Sequence, residues 1–153
     1  MLEIRNVSKS FSGIPAVQAI SFTARAGEVT GYLGPNGSGK STTMKMITGL
    51  IEMTDGEILF QGARIQNDPI AYRQRMGYVP EEPHLYSHLT GLECLTMVAQ
   101  LRNLPEKRAA ERIDGLLHLF YLHSDRHVAI SSYSKGMRQK VLLSAALMHN
   151  PAS

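Results

Sequence analysis

The chain has 153 residues, of which 43% are apolar and 19% charged, and its formal net charge is +3. This composition is typical of a folded domain and excludes a mainly disordered chain. One cysteine excludes a disulfide scaffold, and the longest apolar stretch, residues 141–148, is far shorter than the roughly 20 residues of a membrane-spanning helix. The N-terminus lacks a signal-like apolar segment and the basic residues form no run, so we expect a cytoplasmic protein without a nucleic-acid partner.

Apolar segments bounded by glycine and turn residues predict a strand-rich N-terminal half. The predicted strands span residues 2–7, 17–23, 29–33, 57–60, 63–65 and 75–80. The predicted helices span residues 41–48, 90–101, 105–122 and 134–149. Thr90 and Glu93 have the spacing of a capping box, Ser134 is the expected cap of the last helix, and Asn150-Pro151 is expected to close it.

A glycine-rich segment, residues 34–41, matches the pattern G-x-x-x-x-G-K-[ST] between a predicted strand and a predicted helix. The glycines let backbone N–H groups approach phosphate oxygens, and the helix N-terminus adds its positive dipole end. Lys40 supplies a charge for the β- and γ-phosphates, the Ser41 hydroxyl is placed for Mg²⁺, and Thr42 adds a donor. The predicted nucleotide-binding residues of this loop are Gly34, Asn36, Gly37, Ser38, Gly39, Lys40, Ser41 and Thr42.

A second motif, residues 133–140 (Tyr-Ser-Lys-Gly-Met-Arg-Gln-Lys), begins the last predicted helix. It resembles the signature L-S-G-G-Q-x-Q-R/K of ABC-transporter ATPases. Ser134 and Gly136 keep the hydroxyl and the bare backbone that contact phosphate, whereas Tyr133, Lys135 and Met137 depart from the family pattern. In that family this motif acts in trans, so the resemblance implies that Ser134, Lys135, Gly136 and Met137 close over ATP held by the loop of a second copy.

The resemblance covers the whole chain and implies a fold. The implied fold is α/β: a P-loop NTPase core with a parallel sheet, an antiparallel β-subdomain and an inserted α-helical subdomain, here incomplete. The implied domains are residues 1–80, with the core, the β-subdomain and the P-loop, residues 81–140, the helical subdomain ending in the signature, and residues 141–153, the signature helix leading back to the core and cut short.

Two further positions take a role from the same resemblance. Phe11 stands where the family places an aromatic residue that stacks on adenine, although an exposed turn aromatic is the alternative. Residues 77–86 look like the family's Q-loop, with Glu81 where glutamine is usual, and a carboxylate there can still reach Mg²⁺ or its water. Glu81 and the signature together resemble a branch of bacterial exporter ATP-binding subunits.

The resemblance also implies cofactors and partners. The cofactors are ATP and Mg²⁺, and the partners are a transmembrane permease subunit and a second nucleotide-binding domain in a head-to-tail dimer. The implied protein is peripheral to the inner face of the cell membrane, where it couples ATP binding and hydrolysis to transport. In the family an apolar strand ending in Asp-Glu follows Asn-Pro, whereas this sequence reaches Ser153 with no acidic residue after Asp125.

We therefore expect a chain truncated before the Walker B strand, without the catalytic glutamate and the switch histidine, that is inactive alone. The alternative is a nucleotide-binding module without hydrolysis, as a fragment or a non-transport ABC protein. A GTPase or small-molecule kinase lacks support, because the guanine-specific Asn-Lys-x-Asp motif does not occur.

Histidines and the cysteine receive simpler interpretations. His118, His123 and His127 are close in sequence, but no Cys or Glu partner accompanies them at a fixed spacing, so the sequence does not favour a metal site there. Cys94 lies among leucines in a predicted helix, which indicates a buried and inert thiol.

Overall fold

The computed structural model describes residues 1–82 and 84–149, which form two compact units. The first unit comprises residues 1–73, and the second begins at Gln74. Strands β1 to β4 span Leu2–Phe11, Ile14–Ala24, Asp55–Phe60 and Ala63–Arg64. Helices α1 to α5 span Lys40–Ile47, Pro69–Gln74, Gly91–Leu101, Glu106–Leu119 and Lys135–Leu147, and a 3-10 turn covers Ile130–Ser132.

The first unit is built on an antiparallel sheet with the strand order β2-β1-β3-β4. Two-residue turns close its hairpins: Ser12 (φ 49°) and Gly13 (φ 81°) join β1 to β2, and Gln61 (φ 52°) and Gly62 (φ 84°) join β3 to β4. Positive φ at both turn positions defines the type I′ turn, whose twist matches that of paired strands. The hairpin predicted at residues 57–65 is confirmed.

The core of the first unit lies between the sheet and two helices. Its buried apolar residues are Ile4, Val7, Val17, Met46, Ile47, Ile58, Leu59, Ile65 and Tyr72. The Tyr72 hydroxyl donates to the Ile47 carbonyl at 2.7 Å and so ties α2 to α1. The sequence reasoning missed α2, although Asp68 caps it through the Ala71 N–H at 2.9 Å and Pro69 occupies its first position, which is a recognised start signal.

The second unit is helical, as predicted. Its core is made of Cys94, Leu95, Ala99, Ile113, Leu116, Leu117, Leu122, Ile130, Tyr133, Val141 and Met148. Both halves of the predicted capping box are present: the Thr90 hydroxyl accepts from the Glu93 N–H, and the Glu93 carboxylate accepts from the Thr90 N–H. The predicted burial of Cys94 is confirmed, and burial raises the pKa of its thiol.

Helices α1, α3 and α4 end in the same hydrogen-bonded turn. In each, a residue with positive φ follows the last turn, and the next N–H reaches back to a carbonyl five residues earlier, which is the Schellman motif. These bonds are Leu50 to Lys45 at 2.9 Å, Leu104 to Ala99 at 3.0 Å and Leu122 to Leu117 at 2.8 Å. The residues with positive φ are Gly49, Asn103 and Tyr121, of which Tyr121 is the least suited to that conformation.

Two predicted strands are wrong. Residues 29–33 and 75–80 are not strands, and within residues 1–82 and 84–149 the only sheet is antiparallel, so the predicted parallel sheet is not formed there. Val29 is fully exposed, and Leu33 nearly so. At Gly77 an added Cβ would lie 2.6 Å from the Ala146 carbonyl oxygen, so the second segment runs against α5. A short apolar segment becomes a strand only through pairing, which a local pattern does not supply. The predicted Asn150-Pro151 stop lies outside the described residues.

Candidate nucleotide-binding site

The predicted phosphate loop connects the segment after β2 to α1 in the first unit. Gly37 (φ 82°) and Gly39 (φ 85°) adopt left-handed backbone that side chains rarely tolerate. At Gly39 an added Cβ would lie 2.6 Å from the Ala16 carbonyl oxygen and 2.8 Å from Val17 Cγ2, whereas at Gly37 nothing lies within 4 Å. The loop therefore packs closely on β2 at Gly39, whereas Gly37 has no close neighbour.

The Lys40 side chain folds back across this loop. Its Nζ donates to the Gly34 carbonyl at 2.7 Å and to the Pro35 carbonyl at 2.6 Å. The Ser38 N–H also donates to the Pro35 carbonyl, at 3.3 Å. These bonds hold one full positive charge over the turn of the loop, where a bound anion would compete with two carbonyl oxygens for the ammonium.

The N-terminus of α1 has the features of an anion site. Its N-cap is Gly39, which offers no side chain to the first-turn N–H groups, and the first turn contains no acidic residue. The helical hydrogen bonding begins with the Thr43 N–H to the Gly39 carbonyl, at 2.8 Å. The N–H groups of Lys40, Ser41 and Thr42 precede that bond, so they can serve a phosphate, together with the helix dipole. These donors fit a polyphosphate.

The hydroxyl groups beside the loop differ in exposure. Ser41 is exposed and Thr42 is half-buried, so both hydroxyls can reach a ligand or its metal ion. Thr43 is buried, and its hydroxyl lies 3.5 Å from the Tyr32 hydroxyl. The Tyr32 ring stacks on Phe22 of β2 with 5.3 Å between centroids, which fixes the segment that leads into the loop. Asn36 and Ser38 are exposed on the loop itself.

Phe11 lies at the end of β1, and 49% of it is exposed. Lys9 Nζ lies 5.1 Å from the centre of its ring, a cation–π distance. Lys9 pairs with Val17, which is the residue that Gly39 contacts. The ring is thus exposed at the turn end of the strand pair whose residues Ala16 and Val17 pack against Gly39.

The signature motif lies in the second unit, at the start of α5. Ser134 is its N-cap and its hydroxyl oxygen accepts from the Met137 N–H at 3.2 Å, which leaves the hydroxyl hydrogen available to a ligand. Lys135 and Gly136 are exposed, and Met137 packs against the helical core. Glu81 is exposed in an irregular segment of the same unit.

Tyr133, which departs from the leucine of the family pattern, is a core residue whose role the sequence reasoning missed. It is buried, its hydroxyl donates to the Asp125 carbonyl at 2.7 Å, and its own carbonyl accepts from Arg138 Nε at 3.0 Å. These contacts fix the residue before Ser134 and therefore the entry into α5. An aromatic residue directly before a helix cap was the available signal.

The sequence reasoning also missed Asp114. Asp114 is a carboxylate that lies near both His118 and His123. The spacing of Asp114 and His118, four residues apart in a predicted helix, is the sequence signal that they share a face.

Comparisons with known proteins identify the family of the chain. A family model described as ABC transporter matches residues 17–152. An uncharacterized ABC transporter ATP-binding protein of Bacillus subtilis (strain 168), YhcH, is 37% identical over 151 residues, which are 99% of this chain and 48% of that protein. This chain belongs to the ABC transporter family, among its ATP-binding proteins. The chain spans about half the length of the curated relatives it matches.

Two solved structures share the fold. An ATP-binding subunit of an ABC transporter has a TM-score of 0.87 and 35% identity, and the match covers 99% of this chain and 63% of that one. CbiO1 from Clostridium perfringens, described as part of the ABC transporter complex cbiONQ, has a TM-score of 0.86 and 26% identity, with 98% and 62% covered. Within residues 1–82 and 84–149, no helix combines the length and the apolar character needed to cross a membrane.

Proposed function

We propose that this chain supplies the ATP-binding part of an ABC transporter, in which ATP binding and hydrolysis drive transport through a separate membrane partner. The observation that carries the proposal is the phosphate loop, with the Lys40 ammonium bonded over it at 2.7 and 2.6 Å and an uncapped helix N-terminus directly behind it. An ammonium with uncapped N–H groups on a glycine-rich turn recognises a polyphosphate.

The residues of the loop would hold ATP together with Mg²⁺. The N–H groups of the first turn and Lys40 would bind the phosphates, Thr42 would add a hydroxyl, and Ser41 would bind the metal ion. Mg²⁺ neutralises phosphate charge when bound. Phe11 is proposed to stack on the base, and Glu81 to offer a further oxygen ligand for Mg²⁺ or its water.

The signature is proposed to act between copies in a head-to-tail dimer. Ser134 and Gly136 would present a hydroxyl and backbone N–H groups to ATP held by the partner copy, with Lys135 and Met137 beside them. The partner in the membrane is proposed to be a permease subunit, by analogy with CbiO1, which is part of a transporter complex. The chain would then lie at the inner face of the membrane. Its proposed domains are residues 1–80, 81–140 and 141–153.

Calorimetric titration of the 153-residue chain with Mg²⁺-ATP tests the binding step. We expect saturable binding of one nucleotide per chain, weakened about tenfold or more by Lys40→Ala, because a charge-assisted hydrogen bond contributes about 1.5–3 kcal/mol. Lys45→Ala is the matched control, since it removes an exposed lysine from the same helix. Equal losses in the two variants, or no binding by the parent chain, would contradict the proposal.

A nucleotide-binding module without hydrolysis is the second candidate. Residues 126–153 contain no acidic residue that could hold Mg²⁺ and its water, so this part of the sequence by itself accounts for nucleotide binding and not for hydrolysis. Reading the coding sequence beyond Ser153 separates the two candidates. An apolar strand that ends in Asp-Glu supports hydrolysis, whereas a stop codon directly after Ser153 supports the binding module.

A further inference from the structure

Three metal-ligating side chains that belong to none of the motifs above meet at the C-terminal end of α4. Asp114 and His118 are four residues apart on α4, so they lie on one face of the helix. His123 follows the Schellman turn, in which Tyr121 (φ 56°) reverses the chain. The reversal stacks the His123 ring on the His118 ring, with 4.0 Å between centroids and 18° between planes.

The ligand atoms of these side chains converge on one carboxylate oxygen. Asp114 Oδ1 lies 3.7 Å from His118 Nε2 and 3.4 Å from His123 Nε2. All three ligand atoms lie within 4.8 Å of one another. In a tetrahedral zinc site, ligand atoms about 2.0–2.1 Å from the ion are about 3.3 Å apart. The two distances to Asp114 are therefore already close to those of a metal site.

The backbone that carries the cluster is held by buried neighbours, whereas the three ligand side chains are partly exposed. Leu117 and Leu122, on either side of the turn, are buried in the helical core. The side chains of Asp114, His118 and His123 are 63%, 61% and 35% exposed, so both rings can tilt to aim their lone pairs at one ion.

One contact of His123 must change when a metal binds. Arg126 Nη1 donates to the His123 carbonyl at 2.7 Å and lies 3.3 Å from His123 Nδ1. Because arginine is only a donor, a neutral His123 in this contact carries its proton on Nε2. Metal binding at Nε2 moves that proton to Nδ1 and ends the 3.3 Å contact, while the bond to the carbonyl can remain.

We propose that Asp114, His118 and His123 form a surface site for a divalent transition-metal ion, with zinc as the best fit. Two imidazoles and one carboxylate suit zinc rather than Mg²⁺, which prefers oxygen ligands. Three protein ligands leave the fourth position to water or to an external group. The bound ion joins α4 to the segment that follows it, across the Tyr121 turn. This site is independent of the nucleotide and of the proposed function.

Calorimetry on the chelator-treated 153-residue chain, with zinc chloride alone and no nucleotide, tests the site. We expect one zinc ion per chain, binding that excess Mg²⁺ does not displace, and a melting temperature that rises with zinc concentration. The variants Asp114→Asn, His118→Ala and His123→Ala should each weaken binding about tenfold or more, since even outer-shell partners contribute 10–100-fold. Asp114→Asn nearly preserves the shape of the side chain, so its effect reports on the ligand rather than on folding.

His127→Ala is the matched control, because it removes an exposed histidine four residues after His123 and outside the cluster. The control should bind zinc as the parent chain does. The proposal is overturned if the parent chain binds no zinc at tens of micromolar, if the cluster variants bind as tightly as the parent, or if His127→Ala causes the same loss. In the first two cases the three side chains are polar neighbours only.

Discussion

The Tyr133 hydroxyl occupies the space that a side chain at Gly91 would need. An added Cβ at Gly91 would lie 2.6 Å from that hydroxyl oxygen and 3.4 Å from Tyr133 Cζ. Gly91 is the first residue of α3, and Tyr133 directly precedes the cap of α5. This contact therefore sets how closely the start of α3 approaches the residue that introduces the signature helix.

The two residues should show coupled stabilities. Gly91→Ala is expected to lower the free energy of unfolding by about 1–3 kcal/mol through overpacking. Tyr133→Phe alone should lower it by about 1 kcal/mol, because it loses the bond to the Asp125 carbonyl, which still accepts from the Val128 N–H. In the double variant the clash is relieved, so urea unfolding should give a loss smaller than the sum. If the loss in the double variant equals the sum of the two single losses, the start of α3 has moved away from Tyr133 and the clash does not form.

Gly37 and Gly39 should differ in their tolerance of alanine. Both have positive φ, so each substitution should lower the free energy of unfolding by about 1–2 kcal/mol through backbone strain. Only at Gly39 would the new Cβ also clash with the Ala16 carbonyl and Val17. This clash should increase the loss in the free energy of unfolding by about 1–3 kcal/mol. Urea denaturation of Gly39→Ala and Gly37→Ala measures the difference, and equal losses would contradict the proposed anchoring of the loop on β2.

The capping box of α3 should make stability depend on acidic pH. Hydrogen bonds from the N–H and the hydroxyl of Thr90 lower the pKa of the Glu93 carboxyl below its ordinary value of 4.5. A carboxyl with a lowered folded-state pKa stabilises the fold above its unfolded-state pKa, and this contribution is lost as pH falls through the folded-state value. Melting curves between pH 6 and pH 3 should show this loss in the parent chain and a smaller loss in Glu93→Gln. If the melting temperatures of the parent chain and of Glu93→Gln fall equally with pH, the Glu93 carboxylate is not the cause of the loss.

Tyr121→Gly should stabilise the turn after α4. Tyr121 has φ 56° and is 85% exposed, so the substitution relieves left-handed strain and removes little buried surface. We expect the free energy of unfolding to rise by about 0.5–1 kcal/mol, after the greater flexibility of glycine in the unfolded chain is subtracted. Tyr121→Ala is the control, because it keeps the Cβ and therefore the strain. If Tyr121→Ala gains as much, the effect comes from the aromatic ring.

The 153-residue chain should bind ATP without turning it over. Hydrolysis needs an acid that holds Mg²⁺ and its water, and no acidic residue follows Asp125. In a phosphate-release assay, the parent chain should not exceed Lys40→Ala. Steady release above that control would mean that Asp125 or an acidic residue earlier in the chain fills the role.

Local signals predicted those parts of the fold that depend on local contacts. The Thr90–Glu93 box, the Ser134 cap and the hairpin near Gly62 each depend on a few adjacent residues, and the structure confirms all three. The glycine turn and the helix start within residues 34–41 could be predicted for the same reason, since they are consecutive in sequence, and phosphate binding there stays a prediction. The Asp68-Pro69 start of α2 is an equally local signal, and the predicted elements do not include it.

Features that depend on distant partners could not be predicted in this way. Residues 29–33 and 75–80 have apolar patterns typical of strands, but pairing decides whether a strand forms. The contact between Tyr133 and Gly91 joins the residue before the cap of α5 to the first residue of α3, so no short window of sequence contains both. The approach of His123 to Asp114 depends on a left-handed tyrosine, a conformation that the residue type argues against.

The exposed segment at residues 29–33 has a consequence for work with this chain. Val29 and Leu33 are almost entirely in water, and within the described part of the chain no strand covers the main chain between them. An uncovered apolar segment with free main-chain groups is a template for another copy. Self-association should therefore increase with protein concentration. A short extended peptide of matching apolar pattern should suppress it by binding to residues 29–33.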